Sequence, residues 1–134
     1  MRYLLDTNII SDLIRNNDGA SAQHIRRLGE EHLCASIIVA AELRYGAQKK
    51  GSALLSRAVD VALGGIAVLP FDHPADVAYA ELRVKFERLG KLISNNDLLI
   101  AAHAISLRCI MVTDNLREFS RIDGLICENW LRRS

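Results

Sequence analysis

The chain has 134 residues, enough for one domain with a sizeable apolar core and too few for a second large one. Half of the residues are hydrophobic, a quarter are charged and the net charge is +1, which is typical of a soluble globular protein and not of a generally basic nucleic-acid binder. Asp6 interrupts the N-terminal apolar run and no apolar stretch reaches the length of a membrane span. We therefore expect no secretion signal, no membrane contact and a cytoplasmic location, with the three cysteines reduced.

Short apolar runs alternate with helical patterns, and glycine, proline or a capping residue marks most boundaries. The predicted elements are, in chain order, strand Tyr3–Leu5, helices Ile9–Arg15 and Ala20–Glu30, strand His32–Ala35, helices Ser36–Lys49 and Ser52–Leu63, strand Ile66–Leu69, helices His73–Leu89 and Ser94–Leu107, strand Ile110–Val112, helical turn Asn115–Glu118 and strand Leu125–Cys127. Helical connections between successive strands predict a parallel sheet. The expected fold class is α/β: a three-layer α/β/α sandwich with a central parallel sheet of four to five strands, forming a single domain over residues 1–134.

Four acidic residues occupy positions where such a fold places its ligands, beyond the carboxyl ends of the strands. Asp6 directly follows the first predicted strand, and Asp114 directly follows the fourth. Asp97 lies in the first turn of a predicted helix, and Glu42 lies about two turns into another. We expect these four carboxylates to converge at one edge of the sheet.

A cluster of carboxylates without histidine or cysteine favours Mg²⁺ or Mn²⁺ over zinc, and one or two ions would fit the pattern. Without a cation, at least one of the clustered acids should have a raised pKa. Each acid alone also has a simpler explanation. Asp6 could cap a helix, Glu42 could be an ordinary surface residue, and the other two could be favourable charges at helix starts.

Four segments carry a family resemblance that spans nearly the whole chain. They are Leu4–Ser11 (LLDTNIIS), Ala41–Gly46 (AELRYG), Asn96–Ala104 (NDLLIAAHA) and Val112–Phe119 (VTDNLREF). Taken together in this order and spacing, they resemble the PIN-domain ribonucleases known as VapC, the toxins of VapBC toxin–antitoxin systems.

The resemblance implies a Mg²⁺-dependent (or Mn²⁺-dependent) endoribonuclease toxin that hydrolyses RNA phosphodiester bonds, with transfer RNA as one expected substrate. It implies that Asp6, Glu42, Asp97 and Asp114 are the catalytic residues and metal ligands. It further implies a VapB-like antitoxin that blocks the site, contact with operator DNA only through the antitoxin complex, and a homodimer. Many relatives have glycine where this chain has Ser94, a departure that could alter the loop before Asp97.

The resemblance also suggests that neighbours of the acids have supporting roles. Thr7, Asn8 and Thr113 would orient the carboxylates or a water. Basic side chains that could contact RNA phosphates are Arg83, Lys85, Arg88, Lys91 and Arg117. The alternative for the first four is a solvated helix face that they share with Glu81 and Glu87.

Three other classes remain open on the residues alone. A haloacid-dehalogenase-like phosphatase would place a second aspartate two residues after Asp6, where this chain has Asn8. A response-regulator receiver could use Asp72 but requires an adjacent acidic pair after the first strand and a lysine after the last, and this chain has neither. A non-catalytic partner of an antitoxin and operator DNA is the third class.

Overall fold

The computed structural model of the protein describes residues 2–131. Its elements are, in chain order, β1 (Tyr3–Leu5), α1 (Thr7–Arg15), α2 (Ala20–Leu28), a 3₁₀ turn (Glu30–His32), β2 (Leu33–Ser36), α3 (Ile37–Lys50), α4 (Ala53–Gly64), β3 (Ala67–Leu69), α5 (Ala75–Arg88), α6 (Asn95–Leu107), β4 (Ile110–Val112), α7 (Leu116–Phe119) and β5 (Cys127–Glu128). The predicted order of strands and helices is confirmed, with shifts of one or two residues at most boundaries.

The five strands form one parallel sheet in the order β3-β2-β1-β4-β5, with helices on both faces. The expected three-layer α/β/α sandwich is therefore confirmed. β1 lies at the centre, pairing Leu4 with Cys34 of β2 and with Met111 of β4. The order reverses at β1, so the carboxyl ends of β1, β2 and β4 meet at the switch point where ligands of parallel sheets bind.

Two of the boundaries that are wrong by two residues have identifiable local reasons. The predicted helix Ala20–Glu30 ends at Leu28, because Gly29 adopts φ +90°, a conformation that favours glycine. The last strand begins at Cys127 and not at Leu125, because the backbone N–H of Leu125 donates to the carbonyl of Ile122 and keeps that stretch in a turn.

The core lies on both faces of the sheet and comes mainly from β1, β4 and α6, whose Leu4, Met111 and Ile100 have no solvent exposure. This burial fixes the strand ends that are followed by Asp6 and Thr113. Cys34, Cys109 and Cys127 are all free cysteines. Within residues 2–131, no helix combines the length and the apolar character that crossing a membrane requires.

Candidate metal centre

Asp6 is a buried carboxylate at the end of the central strand and has both oxygens hydrogen-bonded. Its Oδ1 accepts from the backbone N–H of Thr7 at 2.8 Å, so Asp6 caps α1. Its Oδ2 accepts from the Thr113 hydroxyl at 2.7 Å and from the Asn8 amide at 3.3 Å. Burial raises the pKa of Asp6, the hydrogen bonds oppose that rise, and the negative charge of Glu42 adds to it. Helix capping alone does not account for the closeness of Asp6 to Glu42 and Asp97, with whose charges it interacts.

Glu42 reaches the same edge from the second turn of α3. Ser36 ends β2 and caps α3 through a hydrogen bond from the N–H of Ile38, which sets the direction of the helix. The Glu42 Oε1 accepts from the Thr7 hydroxyl at 2.7 Å, and Oε2 accepts from the Asn96 amide at 3.4 Å. Its carboxylate therefore bridges α1 and α6, which is not expected of an ordinary surface glutamate.

Asp97 forms the third part of the cluster, together with an acid that the sequence did not single out. The Ser94 hydroxyl accepts from the N–H of Asp97 at 3.2 Å and caps α6, as the S-x-x-D pattern predicts. Burial, a hydrogen bond with Glu118 and the charges of Glu118 and Asp6 raise the pKa of Asp97 to about 7. Asn115 holds Glu118 through an amide hydrogen bond of 2.8 Å. The raised pKa expected for at least one clustered acid is therefore confirmed at Asp97 and Asp6.

Asp114 lies beside this cluster but is held differently. Its backbone N–H donates to the Asn8 side-chain oxygen at 3.0 Å, which ties the end of β4 to the start of α1. Its carboxylate is exposed and accepts from the Asn129 amide at 2.9 Å. Its assignment as a catalytic ligand stays a prediction.

The charge of the cluster indicates what it could bind. Within the described residues, none of the ion pairs involves Asp6, Glu42, Asp97 or Glu118; these acids contact hydroxyl, amide and backbone donors or another acid. In residues 2–131 the side chains as they stand form no group of three or more His, Cys, Asp or Glu that could hold a metal ion. The residues nevertheless fit a hard divalent cation in donor chemistry and in charge, because carboxylates that share a site repel each other until a cation or a proton neutralises them.

The three supporting residues predicted from the sequence all contact the acids directly. Thr7 donates to Glu42, and Thr113 donates to Asp6 from full burial. Asn8 contacts both Asp6 and the backbone of Asp114. Sequence reasoning missed Glu118 and the amides of Asn96 and Asn115. The available signal was their position inside the segments that carry the family resemblance. Asn96 directly precedes Asp97, and Asn115 and Glu118 lie one and four residues after Asp114.

The basic residues predicted to contact RNA lie on α5, the following loop and α7. Two of them have partners inside the chain: Arg83 donates to the Tyr79 hydroxyl at 2.7 Å, and Lys85 pairs with Asp123 at 2.9 Å. Arg88, Lys91 and Arg117 are exposed. Contact of any of them with RNA stays a prediction.

Comparison with known proteins places this arrangement in a family. The sequence profile of the PIN domain matches residues 3–125, and the chain belongs to the PIN domain family. Its relatives include Ribonuclease VapC2 of Rickettsia felis, 39% identical over 97% of this chain and 98% of the relative. Another is the tRNA(fMet)-specific endonuclease VapC of Shigella flexneri, which is 35% identical over 97% of this chain and 98% of the relative. Among solved structures, VapBC2 from Rickettsia felis bound to a DNA fragment from its promoter superposes with a TM-score of 0.91, at 38% identity over 97% of this chain and 99% of that one.

Proposed function

We propose that this chain is a metal-dependent endoribonuclease, the toxin of a toxin–antitoxin pair. The observation that carries the proposal is the convergence of Asp6, Glu42, Asp97 and Glu118 at the carboxyl edge of the sheet, with no cationic side chain paired to them among the described residues. The ribonuclease and endonuclease names of its relatives support the same reaction class.

Asp6, Glu42 and Asp97, with Glu118 or Asp114, would hold the cation. When bound, Mg²⁺ or Mn²⁺ would supply positive charge to the scissile phosphate and lower the pKa of the attacking water. Thr113 and Thr7 direct one oxygen each of Asp6 and Glu42 through hydroxyl hydrogen bonds. Because these donors are neutral, they fix the carboxylates without cancelling the negative charge that attracts the cation.

The substrate we propose is RNA, with transfer RNA the first class to test because one relative is named for tRNA(fMet). Arg117 is exposed and lies three residues after Asp114, and it would contact a phosphate near the acids. Arg83, Lys85, Arg88 and Lys91 would extend the contact along α5 and the loop after it. On the resemblance alone, we also propose a homodimer that acts in the cytoplasm.

The partner we propose is a VapB-like antitoxin, and its seat is an open apolar groove of about 840 Å³ between α1, α2 and α4. Two large side chains of α4 line it with most of their surface exposed, Leu54 at 80% and Val61 at 72%. Ile10 also lines the groove and lies one helical turn from Asp6. An amphipathic antitoxin segment in the groove could therefore continue toward the acids. The Rickettsia felis neighbour, a VapBC complex on promoter DNA, supports operator contact through the complex.

The groove is tested by adding charge to it. Leu54→Glu and Val61→Glu should weaken binding of the antitoxin encoded beside this chain, measured by calorimetry, and leave RNA cleavage unchanged. Val77→Glu, which alters a partly exposed valine on α5, is the matched control. Antitoxin binding that is equally strong in all three variants would exclude the groove as the seat.

The activity is tested by incubating total bacterial RNA with purified protein, with and without Mg²⁺, beside the Asp6→Asn variant. We expect discrete fragments that require the metal and are absent with the variant, and their mapped ends would identify the target. Folded, antitoxin-free protein that cleaves no RNA would favour the non-catalytic binding protein, with Ser94 as the first residue to examine.

A further inference from the structure

The C-terminal segment, Cys127–Leu131, lies along the strand that ends at the acidic cluster. Its first two residues form β5 and pair with Met111 and Val112 of β4. The carbonyl of Glu128 then accepts from the N–H of Thr113 at 2.9 Å. Continuing this register, the next residue of the segment lies beside Thr113, one residue before Asp114.

Asn129 occupies that position and uses both ends of its side chain. Its Nδ2 donates to Oδ1 of Asp114 at 2.9 Å, and its Oδ1 accepts from the N–H of Leu131 at 2.9 Å. The second bond closes a turn from a side chain to the backbone two residues later, a local motif that asparagine and serine both form. This turn fixes the amide so that its donor faces the Asp114 carboxylate.

Trp130 anchors the segment on the other side of Asn129. Its indole is 1% exposed, stacks on His24 with centroids 5.0 Å apart and an interplanar angle of 3°, and lies 5.5 Å from the ring of Tyr3. The indole N–H donates to Oε1 of Glu128 at 3.1 Å. Asn129 therefore lies between a paired strand and a buried aromatic ring, and has little freedom to move away from Asp114.

We propose that Asn129 is a positioning residue of the active site, which makes the C-terminal segment a component of the catalytic centre. The amide fixes one oxygen of Asp114 and adds no charge, as the Asn8, Asn96 and Asn115 amides do for Asp6, Glu42 and Glu118. Groups that hydrogen-bond to metal-binding carboxylates set their orientation, and removing them commonly costs about 10–100-fold in metal affinity or activity. The inference rests on the proposed function, since it assumes that Asp114 serves the metal site.

The test separates the bond to Asp114 from the turn. Asn129→Ser keeps a turn-forming oxygen for the N–H of Leu131 but is too short to reach Asp114. Its affinity for Mn²⁺ is measured by calorimetry beside Asp114→Ala and the double variant. Asn16→Ala is the matched control, because it removes an amide bond of the same 2.9 Å length to Asp12, at the far end of α1. Fluorescence of Trp130, the one tryptophan of the chain, reports whether the segment stays packed.

We expect Asn129→Ser to weaken Mn²⁺ binding about 10-fold with unchanged tryptophan emission, and the double variant to bind no more weakly than Asp114→Ala. The control should bind like the unmodified protein. Affinity unchanged in Asn129→Ser, losses that multiply in the double variant, or a red-shifted emission would each overturn the positioning role. Failure of the proposed function would look different: the unmodified protein would bind no Mn²⁺, and Asp6→Asn would not alter RNA cleavage.

Discussion

Replacing Asp97 with asparagine should stabilise the metal-free protein at alkaline pH while abolishing its response to Mg²⁺. The pKa of Asp97 rises from 3.8 to about 7 in the folded state, first through burial and then through Glu118. A pKa difference of about three corresponds to about 4 kcal/mol in the free energy of unfolding. Solvent screening at this partly exposed side chain reduces the expected gain in stability to about 1–3 kcal/mol. The introduced amide would carry no charge and could donate a hydrogen bond to Glu118.

The sign of the pH dependence follows from the direction of the shift. Because the folded state holds the Asp97 proton more tightly than the unfolded chain, this group lowers stability progressively as pH rises from about 4 to about 7. Asp97→Asn removes that loss, so the two proteins should melt alike near pH 4. At pH 8 the variant should melt roughly 5 °C higher, taking about 3–5 °C per kcal/mol for a domain of this size.

The assay is thermal unfolding by circular dichroism from pH 4 to pH 9, with chelator and then with Mg²⁺. Ser94→Ala, which alters the cap of the same helix without removing an acid, is the control and should lower stability at every pH. A pH-independent difference between Asp97→Asn and the unmodified protein, or a lower melting temperature with the Mg²⁺ response intact, would refute the shared-site reasoning.

Substitutions at Glu118, Thr7 and Ser94 test three separate contacts. Glu118→Gln should lower the pKa of Asp97, seen by NMR of its carboxyl carbon, and reduce kcat for RNA cleavage by about 10–100-fold; an unchanged pKa would place Glu118 outside the cluster. Thr7→Val removes the hydroxyl bond to Glu42 and should reduce metal affinity about 10-fold by calorimetry with the melting temperature nearly unchanged, whereas equal affinity would make that bond incidental. Ser94→Ala should cost about 1 kcal/mol in urea unfolding and Ser94→Gly only a few tenths, and a large loss of cleavage in the glycine variant would show that serine has an active role.

The sequence was sufficient for the order of elements because local signals and tertiary burial agree. Ile110–Val112 is a short apolar run that ends at polar Thr113, and it forms a fully buried strand with those bounds. Ser94 was expected to cap the helix that carries Asp97, and its hydroxyl does so. The positions of Asp6 and Asp114 relative to the sheet followed from the rule that parallel strands present their carboxyl ends at one edge.

The orientation of the side chains at that edge could not be predicted in the same way. Glu118 interacts with Asp97 from a helical turn that follows a hydrogen bond from the N–H of Asn115 to the Thr113 hydroxyl, and no apolar periodicity predicts either contact. Asn129 lies 15 residues after Asp114 along the chain and reaches it only because β5 pairs with β4. Both contacts depend on the path of a loop, which a pattern of apolar and polar residues does not encode.

The central claim is that Asp6, Glu42, Asp97 and their acidic neighbours form a single cation site. The most direct test is calorimetric titration of the metal-free protein with Mn²⁺ in buffers of different ionisation enthalpy. Metal binding must displace the proton that Asp97 holds below about pH 7. We predict binding that releases close to one proton per cation at pH 6 and almost none at pH 9, and that disappears in Asp6→Asn. Binding that persists in Asp6→Asn, or proton release that does not change between these two pH values, would contradict the account.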